Sequence, residues 1–136
     1  MMALTLNSTT GISGVDGSAS APALKGSDSN TGVSFGTDTV NINTGGTTRA
    51  TVNSAGNLGL GTTSPTASSG ETTLNIYANE YPELHLTSSV TGTAAGDGTI
   101  ISLNNDNSTI IRNQENSYIR FDTNGSNERV RINQQA

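Results

Sequence analysis

The stretch VNINTGGTTRATVNSAGNLGLGTTSP, from Val40 to Pro65, constrains the fold more than any other part of the chain. Val40 and Ile42 alternate with Asn41 and Asn43, the period of two that marks a strand with one apolar face. Gly45-Gly46 supplies the positive φ angles that a tight hairpin turn requires. Arg49-Ala50-Thr51-Val52 forms the returning strand, Ser54-Ala55-Gly56-Asn57 turns again, and Leu58-Gly59-Leu60 reads as a third short strand before a Thr-Thr-Ser-Pro exit. Every strand here is short and polar on at least one face. Such a unit buries little by itself.

Composition decides between order and disorder. Of 136 residues only 31 % are hydrophobic, with no Trp, three Tyr and two Phe. Chains that poor in apolar residues are disordered when they also carry high net charge, but here the net charge is −5 and 12 % of residues are charged. The apolar residues also keep strand register. A chain of this size buries too little surface to offset its ordering entropy unless neighbours contribute. The expectation is ordered β-structure completed by oligomerisation.

Other classes fall away. Without cysteine there is neither a disulfide framework nor a thiolate metal site. No apolar run is long enough for a membrane-spanning helix, and MMALTLNSTT lacks the basic segment and long apolar core of a secretion signal. The basic residues are Lys25, Arg49, Arg112, Arg120, Arg129 and Arg131. The last three lie close together but among Asp122 and Glu128, which reads as a solvated strand face, so no nucleic-acid partner is expected.

Along the chain, Ala3 to Asn7 alternates as a first short strand. Gly11-Ile12-Ser13-Gly14-Val15-Asp16-Gly17 matches neither the P-loop nor the dinucleotide spacing and reads as a structural turn. Ala21-Pro22-Ala23-Leu24-Lys25 is an edge strand, because proline cannot donate to a central ladder. Ser27 to Gly32 is a loop and Val33-Ser34-Phe35 a strand. Thr66 to Gly70 has linker composition. Further strands are read at 74–76, 84–86, 100–103, 110–112, 118–121 and 130–132, and Thr123-Asn124-Gly125-Ser126 holds the strongest short hairpin signal. No helical stripe occurs. The chain is therefore all-β, divided into an N-terminal segment at 1–24, a first module at 25–65, a linker at 66–72 and a longer second module at 73–136.

The two modules resemble each other. Residues 40–52 lie on residues 119–132 when Asn127 is skipped, so that Gly46 meets Gly125 and Arg49 meets Arg129. Upstream, Ala21-Pro22-Ala23-Leu24 resembles Tyr81-Pro82-Glu83-Leu84. Repeated strand-and-turn units argue for modules stacked along an axis.

Several of these stretches resemble a known family. Leu4-Thr5-Leu6-Asn7, Gly11 to Ala19, Asp28-Ser29-Asn30-Thr31-Gly32-Val33 and Gly45-Gly46-Thr47-Thr48-Arg49 are similar to phage tail-fibre-like and other virion structural proteins, abundant in marine and cyanobacterial phages. Above all, Gly56-Asn57-Leu58-Gly59-Leu60-Gly61-Thr62-Thr63-Ser64-Pro65 looks like their recurrent repeat, which more often reads GNVGIGTTSP. The resemblance covers residues 4–65 closely and 74–132 loosely. It implies an elongated homotrimer with a β-prism or β-helical shaft, docked on other virion proteins through residues 1–24 and located on the particle surface. Host surface glycan is the ligand it admits, held through many weak copies. A short tail fibre or fibre adaptor is the expectation, a capsid head fibre or decoration protein the alternative. A threefold axis would let three thin sheets share one apolar interior and give exposed edges partners. Val40, Ile42, Val52, Leu58, Leu60, Ile119, Phe121, Val130 and Ile132 are the interior candidates, with their Asn, Thr and Arg neighbours outside.

A polysaccharide-cleaving spike is the enzyme alternative. Glycoside hydrolysis needs two carboxylates across a cleft, and Glu80 and Glu83, with His85 nearby, form the densest titratable cluster. Short strands make a poor cleft, and His85, between Leu84 and Leu86, reads as an exposed strand residue without the second His or Cys a metal site needs. No catalytic, cofactor or metal residue is assigned. Asp97-Gly98 and Asn104-Asn105-Asp106-Asn107 offer oxygen ligands but fit no calcium-loop pattern and read as Asx turns. Asn-x-Ser/Thr sequons at Asn7, Asn107 and Asn124 would matter only in a eukaryotic secretory route.

Overall fold

A computed structural model describes residues 5–7, 11–13 and 16–133. The remainder of the expected docking segment lies outside the described residues. Thirteen strands and no helix are found among those described. β1 (Thr5–Asn7) and β2 (Gly11–Ser13) form an antiparallel hairpin. The backbone at Gly11–Ser13 is thus a strand, where the glycine spacing argued for a turn.

The chain divides into two compact units, Met1–Tyr77 and Ala78–Ala136. In the first, β3 (Leu24–Lys25), β4 (Gly32–Gly36), β5 (Thr39–Thr44), β6 (Thr47–Val52), β7 (Leu58–Leu60) and β8 (Leu74–Ile76) form one six-stranded sheet in sequence order. All neighbours are antiparallel except β7 and β8, which run parallel. The division falls after β8, later than the 66–72 linker read from composition. Residues 61–73 form the crossover that a parallel pair needs, and Thr73 ties it down by donating from its N–H to the Asn57 Oδ1 (3.0 Å) and from its hydroxyl to the Thr66 carbonyl (2.8 Å).

The second unit holds a three-stranded sheet, β9 (Glu83–Leu86), β10 (Thr99–Leu103) and β11 (Thr109–Asn113), with β10 in the middle. Its remaining strands, β12 (Ile119–Thr123) and β13 (Asn127–Ile132), form a two-stranded ribbon.

The internal repeat is a repeat of geometry. β5–β6 pairs Val40 with Val52 and Ile42 with Ala50, then shifts register so that Asn43 meets Thr48. β12–β13 pairs Ile119 with Ile132 and Phe121 with Val130, then shifts so that Asp122 meets Glu128. The unpaired residue of each bulge is an arginine, Arg49 or Arg129. Each donates from its Nε to a threonine hydroxyl on the opposite strand, Arg49 to Thr44 (2.9 Å) and Arg129 to Thr123 (2.6 Å). Both turns carry two consecutive positive φ angles, Gly45–Gly46 at 57° and 73° and Asn124–Gly125 at 53° and 77°.

The covered side of the six-stranded sheet is polar, contrary to the sequence-based expectation that its Asn and Thr residues lie outside. Ser34, Asn43, Thr51 and Asn57 are buried to 4 % exposure or less. They survive there because each is hydrogen-bonded. Asn43 Nδ2 donates to Ser34 Oγ (2.9 Å), Thr48 Oγ1 to Asn43 Oδ1 (2.8 Å), and Thr51 Oγ1 to Asn41 Oδ1 (2.9 Å). No buried side-chain donor or acceptor among the described residues lacks a partner. Ile100, at 3 % exposure, is the one large hydrophobic residue buried among them. Replacing Asn43 by Ala strands the hydroxyls of Ser34 and Thr48 and is expected to cost about 1–3 kcal/mol. Urea unfolding of the first unit would register this as a lower midpoint at unchanged slope.

Candidate assembly face

The opposite face of the same sheet is apolar and uncovered. Register places Leu24, Val33, Ile42, Ala50, Leu60 and Ile76 in one transverse row across all six strands. Phe35, Val40, Val52, Leu58 and Leu74 form a second row beside it across β4 to β8. Partners directly across a ladder share a face, so both rows point the same way. Leu24, Val40, Ile42, Val52, Leu58, Leu60 and Leu74 are 37 % to 56 % exposed. Covering these seven half-exposed side chains would contribute on the order of 7 kcal/mol, at about 1 kcal/mol each. That is comparable to the whole stability of a small domain.

The residues around β7 explain why the polar side is the one that closes. Gly56 (φ 80°) turns the chain, and the Asn53 carboxamide holds the turn by accepting from Ala55 N (3.1 Å) and Asn57 N (3.0 Å). The same side chain donates from Nδ2 to the Pro65 carbonyl (3.0 Å), pinning the Thr-Thr-Ser-Pro segment back over β7. Gly59 leaves the room for it, since a Cβ there would stand 2.7 Å from the Thr62 carbonyl oxygen and 3.2 Å from Pro65 Cβ. Gly61 (φ 78°) ends the strand where a Cβ would run into the Tyr77 carbonyl oxygen. The GNLGLGTTSP stretch is therefore a clasp whose own loop covers the polar face and leaves Leu58 and Leu60 bare.

The second unit also leaves an apolar row open, although the side it covers includes the buried Ile100. Leu84, Ile101 and Ile111 lie in register on one face and are 41 % to 50 % exposed. His85 pairs with the buried Ile100 on the other face and is half-buried, which corrects its reading as an exposed strand residue. Its Nε2 stands 2.5 Å from the Asp97 carbonyl oxygen. The 87–98 loop covers that side, held by Gly98 N to Glu115 Oε1 (2.6 Å), Gln114 N to the Gly98 carbonyl (2.9 Å) and Gln114 Nε2 to the Ala95 carbonyl (2.8 Å). On the β12–β13 ribbon, Phe121, Val130 and Ile132 are 48 % to 57 % exposed and Ile119 is half-buried. In the single chain, eight of the nine residues read as interior thus line open surface, and Ile119 is half-buried.

The enzyme candidates do not converge. Glu83 and His85 share one face of β9, but Glu83 is exposed while the His85 ring is engaged by the Asp97 carbonyl, and Glu80 lies exposed in the segment before the strand. Asp106 Oδ1 accepts from Ser108 N (2.9 Å) and Oγ (2.6 Å), so its carboxylate closes its own turn. Those Ser108 hydrogen bonds hold the Asp106 carboxyl below its ordinary value. Among the described residues no group of three His, Asp or Glu is placed to share a metal ion. An open hollow of about 360 Å³ near Leu86, Thr91, Asn113 and Glu115 offers hydroxyl and amide groups, but its Glu115 already accepts the Gly98 N–H.

The polar face of the ribbon carries the charges. Arg120 pairs with Asp122 (2.7 Å), Arg131 with Glu128, and the Arg131 guanidinium lies 4.0 Å over the Tyr118 ring. The Arg131 hydrogen bond lowers the Glu128 pKa below its ordinary 4.5. A depressed carboxyl stabilises the fold above its unfolded pKa and loses that contribution as pH falls through the folded one. Acidification below about 4.5 is therefore expected to loosen the β12–β13 ribbon, and Glu128→Gln to remove that part of the pH dependence. Amide exchange across the ribbon from pH 6 to 3, corrected for intrinsic rates, would read both.

The chain matches no family model, no curated protein and no solved structure.

Proposed function

We propose that this chain is a non-enzymatic structural protein of a phage particle, a short homotrimeric fibre or fibre adaptor serving host attachment. The observation that carries the reading is the two-row apolar face of the six-stranded sheet, built on the fibre-like GNLGLGTTSP clasp. Contiguous apolar surface of this kind marks an interface, and a fibre that shares one interior among three copies uses such a face on every chain. In this reading the apolar faces turn toward the threefold axis, and the polar faces, already closed by their own loops, lie outside. Other virion proteins at the N-terminal end and host surface glycan are the partners it implies, and the particle surface is its location.

The test has two parts. Native mass spectrometry of the purified chain is expected to give three copies per assembly, and a monomer at micromolar concentration would refute the trimer. The copy number per purified particle then places the protein. A small multiple of three fits the tail, whereas a count scaling with capsid subunits or vertices would make it a head fibre or decoration protein. Absence from particles would remove the virion reading.

A further inference from the structure

The duplicated hairpin shows what one of its two copies lacks. In the first unit, β6 has β5 on one side and β7 on the other. In the second, β13 has β12 on one side and, among the described residues, no strand on the other. All six residues of β13 are exposed. A two-stranded ribbon is marginally stable alone, and an unpaired edge is a row of unmet donors and acceptors.

Equivalence of the two hairpins identifies those groups. On β6, the Arg49 carbonyl accepts from Gly61 N (2.9 Å), and Asn53 N donates to the Asn57 carbonyl (3.1 Å). In an antiparallel ladder, alternate residues face alternate neighbours, so Arg49, Thr51 and Asn53 present their backbone to β7. Their counterparts on β13 are Arg129, Arg131 and Asn133, and Asn133 continues the match one residue beyond the ribbon.

We propose that the outer edge of β13 is a docking site for an extended polypeptide strand of β7's own type, Asn-apolar-Gly-apolar-Gly. The strand adds antiparallel. Its first apolar residue sits opposite Ile132, its central glycine opposite Arg131 and its second apolar residue opposite Val130, as Leu58, Gly59 and Leu60 sit opposite Val52, Thr51 and Ala50. The apolar pair extends the Phe121, Val130 and Ile132 face by one strand. On the other face the central glycine leaves room for the Arg131 side chain, which lies over Tyr118. The charges of Glu128, Arg129 and Arg131 discourage indiscriminate pairing at this edge, so the site selects by register and by that glycine. The inference stands on the duplicated hairpin and is independent of the fibre reading.

The probe is a synthetic peptide of residues 54–65, SAGNLGLGTTSP, added to the full chain, with amide exchange followed residue by residue. At a peptide concentration ten times the Kd, the Arg131 and Asn133 amides are expected to exchange about tenfold more slowly. Val130 and Ile132, whose amides face β12, stay unchanged. A peptide carrying Gly59→Val is expected to give no protection. Absence of protection with the native peptide overturns the proposal, as does equal protection by the valine peptide or protection confined to the first unit. Protection of Arg131 and Asn133 without peptide that rises with protein concentration also overturns it, because a second copy then fills the edge.

Discussion

Ile42→Asp is expected to leave the chain folded and abolish its self-association. Ile42 lies on β5 in the longer apolar row and is 53 % exposed, so in the single chain a carboxylate there stays solvated and costs little. At the centre of a shared interior the same carboxylate would have to be buried without a partner, which proteins avoid at a cost of several kcal/mol. Native mass spectrometry should then find a single copy per assembly, where three are expected of the unsubstituted chain. Circular dichroism should retain the strand signal. Phe121→Asp on the ribbon is expected to lower trimer yield in the same direction. A fully trimeric, equally heat-stable Ile42→Asp protein would show that this face is not the interface.

Gly61→Ala is expected to have the opposite character, damaging the fold before any assembly. Gly61 holds φ at 78°, a conformation L side chains adopt only under strain, and an added Cβ meets the Tyr77 backbone carbonyl. Backbone cannot step aside as a flexible side chain can. Of the neighbouring hydrogen bonds, Gly61 N to the Arg49 carbonyl holds the end of β7 on β6, and Tyr77 N to the Leu60 carbonyl (2.8 Å) seats the end of β8 against β7. A cost of about 3 kcal/mol or more follows from the strain and the displaced strand together. Loss of exchange protection at Tyr77, with a lowered urea midpoint, would register it. Unchanged protection would show that β8 is not seated through Gly61.

The two substitutions separate the two sides of one sheet, and the sequence speaks differently about each. The strands were legible because Val40-Asn41-Ile42-Asn43 and its relatives alternate with a period that only a pleated strand uses. The repeated hairpin was legible too. The glycines and Asn-Gly of its turns, and the arginine that becomes the bulge residue in both copies, sit at matching positions. The GNLGLGTTSP stretch marked itself by composition, though its work as a clasp did not. Asn53 reaching Pro65 across twelve residues, and a glycine kept small for a loop folding back, are contacts between positions whose spacing follows no period.

The parallel pairing of β7 with β8 was not legible for a related reason. Thr66 to Gly70 has the composition of a linker whether it joins two modules or returns to the first. Leu24, Val33, Phe35, Leu74 and Ile76 were missed as members of the apolar face because rows across a sheet depend on strand order. Alternation along single strands does not reveal that order.

By itself the sequence determined that the chain forms β-strands, that turns fall at Gly45-Gly46 and Asn124-Gly125, that one hairpin occurs twice, and which residues of a strand share a face. It could not say which face closes, since a period of two divides a strand into two sides without ranking them. Hydrophobicity alone would have put Leu, Ile and Val inside, and His85 outside. Tertiary structure closed the polar side in the first unit, and in the second a side that carries both His85 and the buried Ile100. The loops carry hydroxyls, amides and carbonyls that find hydrogen-bond partners on the side they cover. The apolar rows therefore remain open in the single chain.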